Sequence, residues 1–223
     1  MSATRRQFLA ALLAVPMSPT PPPTRYLALG DSYTIGEGVA ASERWPAQLA
    51  RALRPAYRGD TPEVVAQTGW TTDELAEAMK KQLFAPEYAF VTLQIGVNNQ
   101  YRGRELQNYR YEFGALLDRA TELTAHHPTR VVVVSIPDWG VTRFGRESGR
   151  DLATVAREID AFNAVNAEVT AALGAHYVDV TALSRAGGAE PALLVDDGLH
   201  PSAAMYRRWT EAILPSAERA ILS

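Results

Sequence analysis

A serine, a histidine and two neighbouring aspartates stand where loops interrupt apolar runs, and together they could carry out acyl transfer. Ser32 follows Tyr26-Leu27-Ala28-Leu29-Gly30-Asp31, an apolar run that stops at a glycine and delivers an acid and a hydroxyl. A serine hydroxyl is a poor nucleophile until a base takes its proton, and neutral imidazole suits that task near neutral pH. The chain has four histidines. His126 and His127 read as a helix end and His176 as a strand start, whereas His200 lies in the loop Val195-Asp196-Asp197-Gly198-Leu199-His200-Pro201. Asp197, three residues before His200, can accept from the imidazole Nδ1 and leave Nε2 facing Ser32. Asp196 is the rival carboxylate.

Attack on an ester carbonyl puts negative charge on its oxygen, so donors must already point there. The backbone N–H groups of Ser32 and Gly69 and the side-chain amide of Asn98 are the candidates. Gly69 has no side chain to obstruct backbone approach, and Asn98 donates without adding charge. Each residue also has a plain structural reading: Gly69 as a turn glycine, Asn98 as a loop residue bonding its own backbone, Asp197 as a cap. Asp31 reads as a residue that bonds loop amides.

The elements that must position these side chains follow from periodicity. Short apolar or β-branched runs at Tyr26–Leu29, Glu63–Ala66, Tyr88–Ile95, Val131–Ile136 and Tyr177–Val180 read as strands. Between them, apolar residues at helical spacing predict helices over Glu43–Leu53 capped by Ser42, from Thr72 behind a Thr71/Glu74 capping box, over Glu105–Thr124, and over Asp151–Leu173. Strands separated by more than a dozen residues need right-handed crossovers, so the sheet is expected to be parallel. The predicted fold class is α/β, a three-layer α/β/α sandwich with a five-stranded parallel sheet in one domain over 25–223. Pro137 to about Arg150 reads as a polar loop. The stretch after Thr181 reads as loop-rich until a helix over Ser202–Ile221. Loops leaving the carboxyl edge of such a sheet converge on one crevice. Tyr33, Trp70, Tyr101 and Trp139 on those loops are candidate pocket residues, and Arg102 and Arg104 could meet an anion.

The ordered blocks Gly30-Asp31-Ser32-Tyr33, Gly69, Gly96-Val97-Asn98-Asn99 and Asp197-Gly198-Leu199-His200 resemble the SGNH, or GDSL, hydrolase family. The resemblance runs from about Tyr26 to Ile221. It implies a flavodoxin-like fold and a catalytic triad of Ser32, Asp197 and His200, with Asp197 preferred over Asp196 by the motif spacing. It also implies an oxyanion hole of Ser32, Gly69 and Asn98. Two positions depart from the pattern. Tyr33 replaces the leucine of the eponymous block and is expected to alter packing under the nucleophile loop. Asn99 stands where many relatives carry aspartate and is expected to weaken a contact that orders the oxyanion loop. The expected activity is hydrolysis of small or short-acyl esters. Carbohydrate deacetylase, lysophospholipase and thioesterase activities are alternatives on the same site, and a non-catalytic binding module is a further one.

Composition narrows the remaining classes. A length of 223 residues, with 47% hydrophobic and 21% charged content, suits one globular domain. The net charge of −3 and scattered arginines give no nucleic-acid surface. Cysteine is absent, which excludes disulfides, thiolate metal sites and a cysteine nucleophile. No cofactor or metal is expected, and the partner is a small-molecule ester. Residues 1–24 carry Arg5-Arg6, an apolar run through Ala14 and then a proline cluster, the layout of a twin-arginine-like export signal. A frayed, uncleaved tail in a cytoplasmic protein is the alternative. The apolar run is too short to span a bilayer.

Overall fold

The computed structural model describes residues 24–54, 57, 59 and 61–223. The expected export signal lies outside the described residues, which begin at Thr24. In chain order the elements are β1 (Tyr26–Gly30), α1 (Ser32–Ile35), α2 (Trp45–Ala52), β2 (Glu63–Ala66), α3 (Thr72–Lys81), β3 (Phe90–Gln94), α4 (Val97–Tyr101) and α5 (Leu106–Glu122). There follow β4 (Val131–Val134), α6 (Arg143–Glu147), α7 (Leu152–Leu173), β5 (His176–Val178), α8 (Thr181–Gly187) and α9 (Ala203–Leu222). Every strand pairing is parallel, in the order β2-β1-β3-β4-β5.

Every residue of β1, β3 and β4 is buried, so β1 and β4 are apolar without alternation and the two polar residues of β3, Thr92 and Gln94, are hydrogen-bonded. Helices supply the cover: α2 packs with α9, and α5 packs with both α3 and α7. Because the chain goes from β1 outward to β2 and then returns to β3 on β1's other side, the strand order reverses at β1 and β3. Loops diverge there, opening a crevice beyond the carboxyl ends. Gly30 pairs with both Ala66 and Gln94, so three strands end level. Gly30 is required by close packing, since a Cβ there would lie 2.2 Å from Thr34 Oγ1 and 2.5 Å from the Gln94 carbonyl oxygen.

Buried polar side chains lace this carboxyl edge together. Trp45 Nε1 donates to Gln94 Oε1 at 3.2 Å, and Gln94 Nε2 donates across to the Ser135 carbonyl at 3.0 Å. Ser135 Oγ accepts from the Val180 amide at 2.8 Å and the Thr181 amide at 3.2 Å. Asn163 of α7 bonds both the amide and the carbonyl of Ile136, at 2.9 and 3.0 Å.

Several boundaries differ from expectation. Ser42 does not cap α2; its carbonyl accepts from Arg51, and the helix starts at Trp45 with Pro46 in its first turn, where a missing N–H costs nothing. The segment 137–150 is not a plain loop, because Asp138 and Thr142 each cap a short turn, the 3₁₀ turn Trp139–Val141 and α6. The stretch after Thr181 begins with α8, and β5 starts one residue early, at His176. Among the described residues no helix is long and apolar enough to cross a membrane.

Asn99, expected to weaken a contact in its loop, is bonded through both ends of its amide. Fully buried, it accepts from the Thr72 amide at 3.1 Å and donates through Nδ2 to Thr72 Oγ1 at 2.6 Å, while that hydroxyl donates to Glu112. With the threonine hydroxyl giving its one proton to Glu112, the Asn99 amide supplies the donor that this oxygen accepts. Asn99→Asp is therefore expected to lose roughly 1–3 kcal/mol at pH 8, the cost of a buried group left without its partner. Urea unfolding should show that loss shrinking as the pH falls and the new carboxyl protonates.

Candidate active site

Ser32 begins α1 immediately after β1, and His200 lies in the loop that leads into α9. His200 Nε2 is 2.9 Å from Ser32 Oγ, and Nδ1 is 2.6 Å from Asp197 Oδ2. Asp197 Oδ1 accepts from the amides of Leu199 and His200 at 2.7 and 3.0 Å, so the turn that presents the ring also holds the carboxylate. Burial pushes the Asp197 carboxyl upward, but hydrogen bonds from the His200 ring and from the His200 and Leu199 amides outweigh it and hold the group below its ordinary value. An ionised Asp197 keeps the proton on Nδ1 and leaves Nε2 able to accept from the serine hydroxyl. Asp196, the sequence rival, is elsewhere: its carbonyl accepts from Arg143.

Ser32, Gly69 and Asn98 line one cavity of ≈190 Å³ with His200, Tyr33, Thr68, Val97, Tyr101, Trp139, Phe144 and Leu199. Gly69 adopts φ +85°, a left-handed conformation that turns the chain after β2. Asn98 Nδ2 donates to the Trp70 carbonyl at 2.9 Å, which fixes the amide plane and leaves its second hydrogen free. Asn98 Nδ2 thus keeps one N–H to offer beside the residues Ser32 and Gly69 that line the same cavity.

The aromatic residues divide. Tyr33 is buried, stacks on Trp209 at 6.2 Å between ring centroids and lies 5.1 Å from the His200 ring, so it packs beneath the imidazole. Tyr101 and Trp139 line the cavity, the latter almost wholly buried. Trp70 does not line it. Beyond the left-handed Gly69, its side chain packs against the hydrophobic core and only its carbonyl serves the site. Arg102 and Arg104 are not waiting for an anion either, because Arg102 bonds the Gly69 carbonyl and Glu74, and Arg104 pairs with Asp73. Sequence reasoning missed Thr68, Val97, Phe144 and Leu199. Three of these had a local signal: Thr68, Val97 and Leu199 each adjoin a motif residue.

Asp31 accepts from the Tyr33 amide at 3.0 Å through Oδ1, as expected, but its Oδ2 is buried without a partner. Among the described residues no cation pairs with it, and its charge would raise the phenols of Tyr33, Tyr109 and Tyr206 further. Burial raises its carboxyl from 3.8 to about 7 against the pull of the Tyr33 amide. Between those values the folded chain holds a proton that the unfolded chain has released. This group therefore favours folding most below pH 4, and its contribution falls as pH rises through 7. Asp31→Asn keeps the acceptor and removes the charge. It should melt higher than the parent at pH 8, by at most roughly 4 kcal/mol of stability, and at about the same temperature at pH 4.

The comparisons with known proteins agree with this architecture. The model of the GDSL-like lipase/acylhydrolase family matches residues 28–208. No curated protein sequence matches. Among solved structures, TesA superimposes with a TM-score of 0.68 at 21% identity, covering 88% of this chain and 99% of its own. A lipase/acylhydrolase from Enterococcus faecalis gives 0.67 at 20% identity, covering 87% and 95%. Axe2, an acetylxylan esterase from Geobacillus stearothermophilus, gives 0.66 at 19% identity, covering 87% and 94%. With its five parallel strands, its level carboxyl edge and a family match over most of its length, the chain belongs to the GDSL-like lipase/acylhydrolase family and is an ester-bond hydrolase.

Proposed function

We propose that the protein hydrolyses small or short-acyl carboxylic esters through an acyl-enzyme on Ser32. The observation that carries this reading is the Ser32–His200–Asp197 relay, at 2.9 and 2.6 Å, opening on a cavity of only ≈190 Å³. Pockets for drug-sized ligands run about 300–1,000 Å³. Ser32 Oγ attacks the ester carbonyl carbon as its proton passes to His200 Nε2, and Asp197 stabilises the imidazolium. The Ser32 and Gly69 amides and Asn98 Nδ2 take the oxyanion. Collapse expels the alcohol, which receives the proton from Nε2. Water, deprotonated by the same imidazole, then attacks the acyl-enzyme and releases the acid and free Ser32.

A panel of p-nitrophenyl esters of increasing acyl length, with acetylated sugars and thioesters beside it, tests the reading and its alternatives. Activity should fall off beyond short acyl chains. Ser32→Ala should cost at least about 10⁴-fold in kcat. Asn98→Ala should cost about 10²–10³-fold, as for loss of one oxyanion donor. Hydrolysis indifferent to Ser32, or absent, would support a binding module instead.

We also propose export through the twin-arginine-like segment that contains Arg5-Arg6 and the apolar run after it. Mass spectrometry of fractionated cells should find the protein outside the cytoplasm with its leader removed. An intact amino terminus in the cytoplasm refutes export.

A further inference from the structure

The cavity beside Ser32 is polar at its reacting end and aromatic on one wall. Tyr101, Trp139 and Phe144 form that wall. Their centroids lie 5.3 Å apart for Tyr101–Trp139, 6.0 Å for Trp139–Phe144 and 6.2 Å for Tyr101–Phe144, the first two edge to face. Trp139 Nε1 is already used, donating to Gln100 Oε1 at 2.7 Å, while Gln100 Nε2 donates to Glu158 at 2.7 Å. The indole can therefore meet a ligand only through its ring, and over a small area, because Trp139 is 2% exposed. The volume of ≈190 Å³ slightly exceeds the roughly 150 Å³ apolar cavity known to admit benzene. One six-membered ring and a few further atoms fill it.

Arg150 explains how the wall is held. It is exposed, and among the described residues it pairs with no carboxylate. Its Nη2 instead donates to the Tyr101 carbonyl at 2.8 Å, and its guanidinium carbon lies 4.5 Å from the Tyr101 ring centroid and 5.6 Å from that of Trp139. One side chain thus ties the end of α4 to the turn after β4. Without an acid to pair with, its contacts are with the wall.

We propose that the substrate carries an aromatic ring, in its acyl or its alcohol part, recognised by Tyr101, Trp139 and Phe144, with Arg150 as the positioning residue of that wall. The proposal rests on the ester-hydrolase reading and names its substrate class. A saturated ring of the same size buries similar area but lacks the quadrupole that rewards edge-to-face contact, so the discrimination should be about two- to twelvefold.

Two matched pairs test this: benzyl acetate against cyclohexylmethyl acetate, and methyl phenylacetate against methyl cyclohexylacetate. Each kcat/KM is divided by that ester's own alkaline hydrolysis rate. The aromatic member of at least one pair should be favoured two- to twelvefold, and Tyr101→Leu or Phe144→Leu should bring the ratio to about one. Arg150→Gln should lower the preference through KM while the cyclohexyl member stays within about twofold. Arg150→Lys, which keeps the cation but not the planar fork, should restore part of it. Equal normalised rates in both pairs overturn the proposal, and an Arg150→Gln variant that slows both members alike overturns the role of Arg150. Calorimetric titration of Ser32→Ala with the four esters reads ring recognition without turnover. Tighter binding of the aromatic member without hydrolysis supports ring recognition by the wall and overturns the ester-hydrolase reading, whereas hydrolysis with equal binding and equal normalised rates overturns ring recognition alone.

Discussion

The hydrogen bond between Ser32 Oγ and His200 Nε2 joins residues 168 apart in sequence, and much of the architecture serves to make it. One partner leaves β1, near the start of the described chain, and the other precedes α9, the last helix. Neither element can set the distance alone. The sheet fixes where Ser32 emerges, the pairing of Gly30 with Ala66 and Gln94 fixes its height, and α9 packed with α2 and the sheet brings the Asp197–His200 turn back over the same edge. A bond of this kind adds little stability by itself. It is a consequence of register, and a one-residue slip in β1 would turn Ser32 to the other face of the sheet.

Much of this was legible from residue types. Buried β-branched runs such as Val131–Val134 can hardly be anything but central strands, and turn residues after each run mark the carboxyl edge. His200 was legible as the one histidine in a loop beside carboxylates, whereas the choice of Asp197 over Asp196 came from the resemblance to the family motif, and the 2.6 Å contact agrees with it. The short helices α1 and α4 were not, since four or five residues cannot sustain a helix without tertiary support. Trp70 failed for a related reason. The direction of a side chain after a left-handed glycine depends on that glycine's dihedrals, which residue type does not encode. Phe144 enters the cavity only because the segment after β4 folds back in a capped turn, with the Phe144 amide donating to the Gly198 carbonyl at 3.0 Å.

Departures from the family's motif turn out to be compensated locally. Tyr33 fills the space between Trp209 and the His200 ring, and thus replaces an aliphatic contact with an aromatic stack. Asn99 satisfies a threonine whose proton is already committed to Glu112. In both cases the change is readable only together with a partner distant in sequence. The effects of substitutions at 99 and 112, or at 33 and 209, are not expected to add, because each pair shares one network.

The polar lacing from Trp45 through Gln94 and Ser135 to Thr181 makes the two ends of the sheet mechanically unlike. The carboxyl edge is cross-linked by directional bonds in a buried setting, where breaking one leaves a group unsatisfied. A substitution within this chain of bonds is costly for that reason. The 2.9 Å approach of Ser32 Oγ to His200 Nε2 is thus set by the folded architecture, before any substrate arrives.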